Sequence, residues 1–246
     1  MGVRDHTAGR NSHVSARLAT EAGAVFIKGL RSDHAQAWTQ LREAELNAHL
    51  GGVAPQLRWR LESGGWDLLC FEAVDGRHAD YQPGSGDLPL VVDLLTRLAG
   101  VTAPGLEMRD AAQRLAGYVD DPADVRHFQG NALLHTDWNN TNILVTADRG
   151  TRMVDWGWAT HGAAWLDAAY WVIWLIAFGH APHEAEELAA KVPAWSDANV
   201  RALAVFSTAN ARLWSEIARQ SPARWARAMG EASAVWAAYR NAVQNS

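Results

Sequence analysis

Two short clusters hold most of the chemistry this sequence could do. LLHTDWNNTNIL (residues 133–144) sets Asp137, Asn139, Asn140 and Asn142 between two apolar runs. MVDWGWA (153–159) follows, with Asp155 eighteen residues beyond Asp137. Carboxylates and amides offer oxygen atoms, which can accept a proton or ligate a hard divalent cation. The same residue types also favour turns, where they hydrogen-bond nearby backbone. Taken alone, the first cluster reads equally well as an ordinary loop. Between the clusters NILVTADRGTRMVDW reads as a hairpin whose turn is TADRG.

A third candidate is a lysine. Of the 22 basic residues only Lys28 and Lys191 are lysines. Lys28 ends the apolar strand AVFIK, and in so arginine-rich a chain that position asks for a reason beyond charge. The single cysteine, Cys70 in LLCFE, excludes an internal disulfide, fits a reducing compartment and reads as a buried core residue.

The elements that must position these residues change character along the chain. SHVSARLA and AVFIKGL read as a hairpin, SDHAQAWTQLREAELNAHLGG as a helix with Leu41, Leu46 and Leu50 inward, and PQLRWRLES-GG-WDLLCFEAV as a second hairpin. The Gly/Pro/Asp-rich DGRHADYQPGSGD is a linker. Helices dominate thereafter: LPLVVDLLTRLAG, a stretch around 109–119, an apolar helix from about 163, and two more at the end. In the last, Trp225, Met229, Ala232, Trp236, Tyr239 and Val243 form an amphipathic stripe. The expected division is 1–74 and 75–246.

At 246 residues, 48% hydrophobic and 20% charged, the chain can bury a sizeable core. A net charge of −5 and a pI near 6.0 give no basic footprint for nucleic acid. The amino terminus lacks an apolar signal segment, and Asp167 interrupts the greasiest stretch, so neither secretion nor a membrane is expected. The expected location is cytoplasmic.

Lys28, a helical glutamate, His135-x-Asp137-x-x-x-x-Asn142 and Asp155-Trp156-Gly157, in that order, resemble the aminoglycoside phosphotransferase and small-molecule kinase family of the protein-kinase-like fold. The resemblance implies an α+β bilobal fold, with a small β-rich N-terminal lobe and a larger, mostly helical C-terminal lobe. It further implies an ATP-dependent phosphotransferase, with GTP an alternative nucleotide, acting on a hydroxyl of a small molecule such as an aminoglycoside-like antibiotic or another metabolite. Asp137 would be the catalytic base, and Asn142 and Asp155 would hold Mg²⁺. Lys28 would meet the α- and β-phosphates, with Glu43 or Glu45 as its ion-pair partner.

The segment LLCFEAVDG resembles the strand that holds adenine through backbone groups of Glu72 and Val74. Ser12, or the backbone around Asn11–His13, would contact phosphate in a loop where Gly9 is the lone glycine, so the first strand must be short. Asp167 resembles the aspartate that braces the catalytic loop, and His135 a packing residue. Thr136 departs from the glycine usual in aminoglycoside kinases. Trp138, beside Asp137, and Trp158, just past Asp155-Trp156-Gly157, are candidate acceptor-pocket residues. Two other functions fit the same residues: a nucleotide-binding module without catalysis, and a kinase acting on a peptide. The few residues after Gly157 leave little room for the peptide-docking segment of a protein kinase.

Overall fold

The computed structural model describes residues 3–5 and 12–244. The chain opens with β1 (Val3–Asp5), β2 (Val14–Thr20), β3 (Gly23–Arg31), α1 (Trp38–Asn47), β4 (Leu57–Ser63) and β5 (Trp66–Glu72). It continues through β6 (Gly76–His78), α2 (Leu88–Ala99), β7 (Arg109–Asp110), α3 (Ala111–Leu115), β8 (Ala132–Leu134), β9 (Ile143–Thr146) and β10 (Thr151–Met153). It ends with β11 (Thr160–Gly162), α4 (Leu166–Ala177), α5 (Pro182–Ala189), α6 (Val200–Gln220) and α7 (Arg224–Gln244). Described residues up to Arg77 pack with Asn142–Ala159 as one compact unit; His78–Thr141 and the described residues from Thr160 form a second.

In the first unit five strands make one antiparallel sheet in the order β1-β2-β3-β5-β4. Gly64 and Gly65 both take positive φ (58° and 77°), the backbone a two-residue hairpin needs between β4 and β5. Strand β3 is central, and Lys28 lies opposite Ser15 on one side and Leu69 on the other. Lys28 therefore does not end its strand. It sits three residues inside it, on the most enclosed strand of the sheet.

Helix α1 starts at Trp38, later than the Ser32–Asp33 cap signal suggests. The Ser32 amide is still donating to the Gly65 carbonyl at 3.0 Å, so the chain remains tied to the hairpin where the helix was expected. Leu46 and Leu50 are buried as expected, but the inward face differs at Leu41. Leu41 is 42% exposed, while Thr39, Gln40, Glu43 and Leu46 are buried. This face carries polar side chains because one of them, Glu43, has a charged partner on the sheet.

The second unit is built on α4. Residues Leu166–Ile173 are all buried, Asp167 included, as befits a helix that is apolar nearly all round. Phe206 of α6 centres an aromatic cluster, 5.4 Å from Trp165, 5.0 Å from Tyr170 and 5.9 Å from Trp236, all edge-on. The stripe on α7 is rotated from its expected position. Met229, Ala232 and Trp236 are buried, but Val243 is exposed and Arg240 is buried instead. Arg240 and the Trp236 indole both donate to Glu186 of α5, so a charged pair takes the place assigned to an apolar contact. No helix among the described residues is long and apolar enough to cross a membrane.

Candidate active site

The first unit brings together three charged side chains that are far apart in sequence. Lys28 Nζ donates to Glu43 Oε2 at 2.7 Å and to Asp155 Oδ1 at 2.6 Å. The Lys28 and Glu43 side chains are 12% and 6% exposed, and Asp155 is 27% exposed. Burial is the largest single influence on Lys28 and favours the neutral amine, but Asp155 and Glu43 together outweigh it and hold the ammonium above its ordinary range. Of the two glutamates left open by the sequence, Glu43 meets the lysine, whereas Glu45 is exposed. Glu43 also accepts the Trp156 amide through Oε1 at 3.3 Å, tying α1 to the residue after Asp155.

Asp155 has left-handed backbone (φ 69°, ψ 59°), a conformation that costs a non-glycine residue about 1–3 kcal/mol. The next residues show what the rest of the motif is for. Trp156 is buried and its indole donates to the Met153 carbonyl at 2.9 Å. A Cβ on Gly157 would lie 2.7 Å from Thr39 Cβ, so only glycine lets this segment lie against the start of α1.

The β9–β10 ladder pairs Met153 with Ile143, and beyond it the Val154 amide donates to the Asn142 carbonyl at 2.9 Å. Asn142 and Asp155 thus flank the same open end of one hairpin. An amide oxygen and a carboxylate there suit magnesium, which usually takes one or two carboxylates and completes its shell with substrate phosphates and water. Among the described residues no group of three or more His, Cys, Asp or Glu could hold a metal by itself.

Ser12 is buried just before β2. Of the rest of the expected phosphate loop, Gly9 and Asn11 lie outside the described residues, and the His13 amide donates to the Gly29 carbonyl at 2.9 Å. Glu72 closes β5, with its amide on the Gln56 carbonyl at 2.9 Å, and Val74 lies in the irregular segment that follows.

Asp137 belongs to the second unit, on a loop fixed from beneath. Asp167 of α4 accepts the His135 amide through Oδ2 and the Thr136 amide through Oδ1, both at 2.9 Å. Burial pushes the Asp167 carboxyl up, against the pull of those two amides. Buried His135 accepts the Asp137 amide at Nδ1 (3.3 Å), so it acts as a local support. Asp137 Oδ1 accepts the Asn139 amide at 3.4 Å, and Asn139 Oδ1 accepts the Thr141 amide at 3.1 Å. These are the short side-chain-to-backbone turns that the run of Asp and Asn suggests. The loop also carries a strained residue, Thr136, at φ 66°.

Trp138, next to Asp137, is fully buried, and its carbonyl accepts the Tyr81 hydroxyl at 3.0 Å. Trp158, in the first unit, is partly exposed and packs edge-on against Trp38 at 5.2 Å. Trp38 was not singled out from the sequence. Neither was Arg114, whose guanidinium donates to Thr136 Oγ1 at 3.0 Å and Thr160 Oγ1 at 2.7 Å. Trp38 stands at the start of a helix whose cap signal was misplaced. Arg114 is one arginine among many, 22 residues from its partner, and nothing local marks it.

No family model matches the sequence, and no curated protein matches it either. Solved structures do match in three dimensions. Choline kinase LicA from Streptococcus pneumoniae superposes with a TM-score of 0.68 at 9% identity, over 97% of this chain and 94% of that one. A thermostable mutant of aminoglycoside phosphotransferase APH(4)-Ia gives 0.62 at 14% identity, over 95% and 94%. Macrolide 2'-phosphotransferase MphH from Brachybacterium faecium gives 0.58 at 18%, over 94% and 91%. These are small-molecule kinases of protein-kinase-like fold, and this chain has that mixed α+β fold, with its β-sheet first and its helices after. The likeness in fold extends over nearly the whole chain.

Proposed function

We propose that this protein is an ATP-dependent phosphotransferase that moves the γ-phosphoryl group to a hydroxyl of a small molecule. One observation supports this reading above the others: Lys28 and Asp155, 127 positions apart, meet at 2.6 Å with Glu43 on the same ammonium. A compact ammonium on a rigid strand, held charged by two carboxylates, suits the α- and β-phosphates of a nucleotide. Asn142 and Asp155 would hold magnesium, which when bound neutralises phosphate charge. Phosphoryl transfer asks little covalent chemistry of a protein and much positioning.

In the proposed reaction the acceptor oxygen attacks the γ-phosphorus, the bond to the β-phosphate oxygen breaks, and ADP departs. Asp137 orients the attacking hydroxyl and takes its proton. His135, Thr136 and Asp167 keep the loop that carries Asp137 in place. Backbone groups of Glu72 and Val74 would hold adenine, and Ser12 would lie toward phosphate. GTP is the alternative nucleotide.

For the acceptor, we favour a hydroxylated, partly apolar small molecule over a folded protein. Helix α4 begins at Leu166, leaving only residues 158–165 after Gly157, too little for a long peptide-docking segment. From residue 158 onward the sequence has seven basic and seven acidic residues, so no acidic trap for a polycation stands out. Trp158, partly exposed, remains a proposed apolar contact; Trp138, also expected to line the pocket, is fully buried and packs within its own unit instead.

Calorimetric titration with ATP, with and without Mg²⁺, tests the nucleotide half of this reading. The expected result is tight binding that needs Mg²⁺ in the parent protein and is lost in Asp155→Ala, with a smaller loss in Asn142→Ala. ATP binding indifferent to the metal would instead favour a nucleotide-binding module without catalysis.

A further inference from the structure

Thr136 is a β-branched residue in left-handed backbone, immediately before Asp137. Glycine would take that conformation without steric cost; a threonine there needs its surroundings to hold it. Two groups of the same unit do so. Asp167 accepts its amide, and Arg114 Nη1 donates to its hydroxyl oxygen at 3.0 Å. The same Arg114 nitrogen donates to Thr160 Oγ1 at 2.7 Å. Thr160 is fully buried on β11, paired with Leu134 of β8, the strand that runs into the loop. One guanidinium on the short α3 thus clamps the strained residue of the loop to the strand beside it. Hydrogen bonds from a charged donor are about twice as strong as neutral ones, and the rigid guanidinium can hold two acceptors at fixed angles.

We propose that Arg114 is a positioning residue for Asp137, acting through the Thr136 hydroxyl. The backbone angles of Thr136 set where the Asp137 carboxylate points, and Arg114 fixes those angles against the steric preference of a β-branched side chain. The proposal rests on Asp137 being the base of the reaction proposed above. It makes Arg114 necessary only because residue 136 is a threonine.

The test is a double-mutant cycle on ADP release from Mg-ATP, with water as the acceptor where no better one is yet in hand. Four proteins are compared: the parent, Arg114→Ala, Thr136→Gly and the double variant. Arg114→Ala should slow the parent by roughly 10–100-fold, the cost of a small misplacement of a catalytic group, with the KM for nucleotide unchanged. In the Thr136→Gly background the same change should matter by no more than about threefold, because glycine adopts the conformation without steric cost and offers Arg114 no hydroxyl to act through. Arg114→Met, which keeps the packed stem, is run beside each alanine variant and decides the matter should the alanine variant not fold. An equal loss in both backgrounds overturns the proposal, since an arginine that merely held α3 together, or touched the acceptor directly, would act regardless of residue 136. No loss in the parent overturns it too. Asp137→Asn separates the two layers. If it is inactive, the cycle judges Arg114 alone; if it matches the parent, the base assignment falls and the proposal with it.

Discussion

Asp137 and Lys28 carry the proposed chemistry, and each can be tested alone. Asp137→Asn keeps the shape of the side chain and its acceptor oxygen but removes the base. Turnover should fall by roughly 10²–10⁴-fold, the range for loss of a general base, while nucleotide affinity stays near the parent value. Steady-state kinetics beside a binding titration checks both. Lys28→Met removes the ammonium that bridges Glu43 and Asp155. It should abolish tight Mg-ATP binding and, by leaving a largely buried carboxylate unpaired, destabilise the fold by on the order of 3 kcal/mol, measurable by urea denaturation. The sign of the Lys28 shift sets a further expectation. Its pKa is raised in the folded state, so its stabilising contribution is complete below about pH 10.5, the ordinary lysine value, and is lost only at higher pH. Varying pH across the neutral range should therefore leave the Lys28 part of nucleotide binding untouched.

Single elements carry the next set of expectations. Gly157 lies against Thr39 at the first turn of α1, closer than any Cβ tolerates. Gly157→Ala should cost roughly 1–3 kcal/mol of stability, as overpacking does. It should also weaken nucleotide binding, because α1 carries Glu43. A thermal melt beside a Mg-ATP titration reads both effects. On α5, burial pushes the Glu186 carboxyl up, with the Trp236 and Arg240 contacts opposing it. A carboxyl with a raised folded-state pKa binds its proton earlier in the folded protein than in the unfolded chain, so its contribution to stability increases as pH falls toward 4.5. The difference in Tm between the parent and Glu186→Gln should accordingly shift in favour of the parent between pH 7 and pH 4.5. A difference that does not change with pH would show that the pair is fully compensated.

Across the whole molecule, the sequence is most informative where function depends on residue types at fixed spacing. His135, Asp137, Asn142 and Asp155 sit in loops and at a hairpin end, at the spacing and in the order of the family they resemble, so the kinase-like fold could be read from residues 133–157. The sheet was legible from alternation and from the paired glycines 64–65. Polar groups buried by long-range partners were not legible from periodicity, and Glu43 was named beside Glu45 as the partner of Lys28 only through the family resemblance. Periodicity assigned Leu41 and Val243 to the interior, where the fold buries Glu43 and Arg240, because each of those charges finds its partner on another element. Arg114 escaped for the same reason, its two acceptors lying 22 and 46 residues away. The measurement that reaches the central claim most directly is ADP release from Mg-ATP across a panel of hydroxylated metabolites and antibiotics, with mass analysis of any acceptor consumed and the Asp137→Asn protein as blank. The account predicts at least one small-molecule acceptor that gains a phosphoryl group with the parent protein and not with the blank; phosphorylation of a folded protein in preference to every small molecule, or turnover by the blank equal to that of the parent, would contradict it.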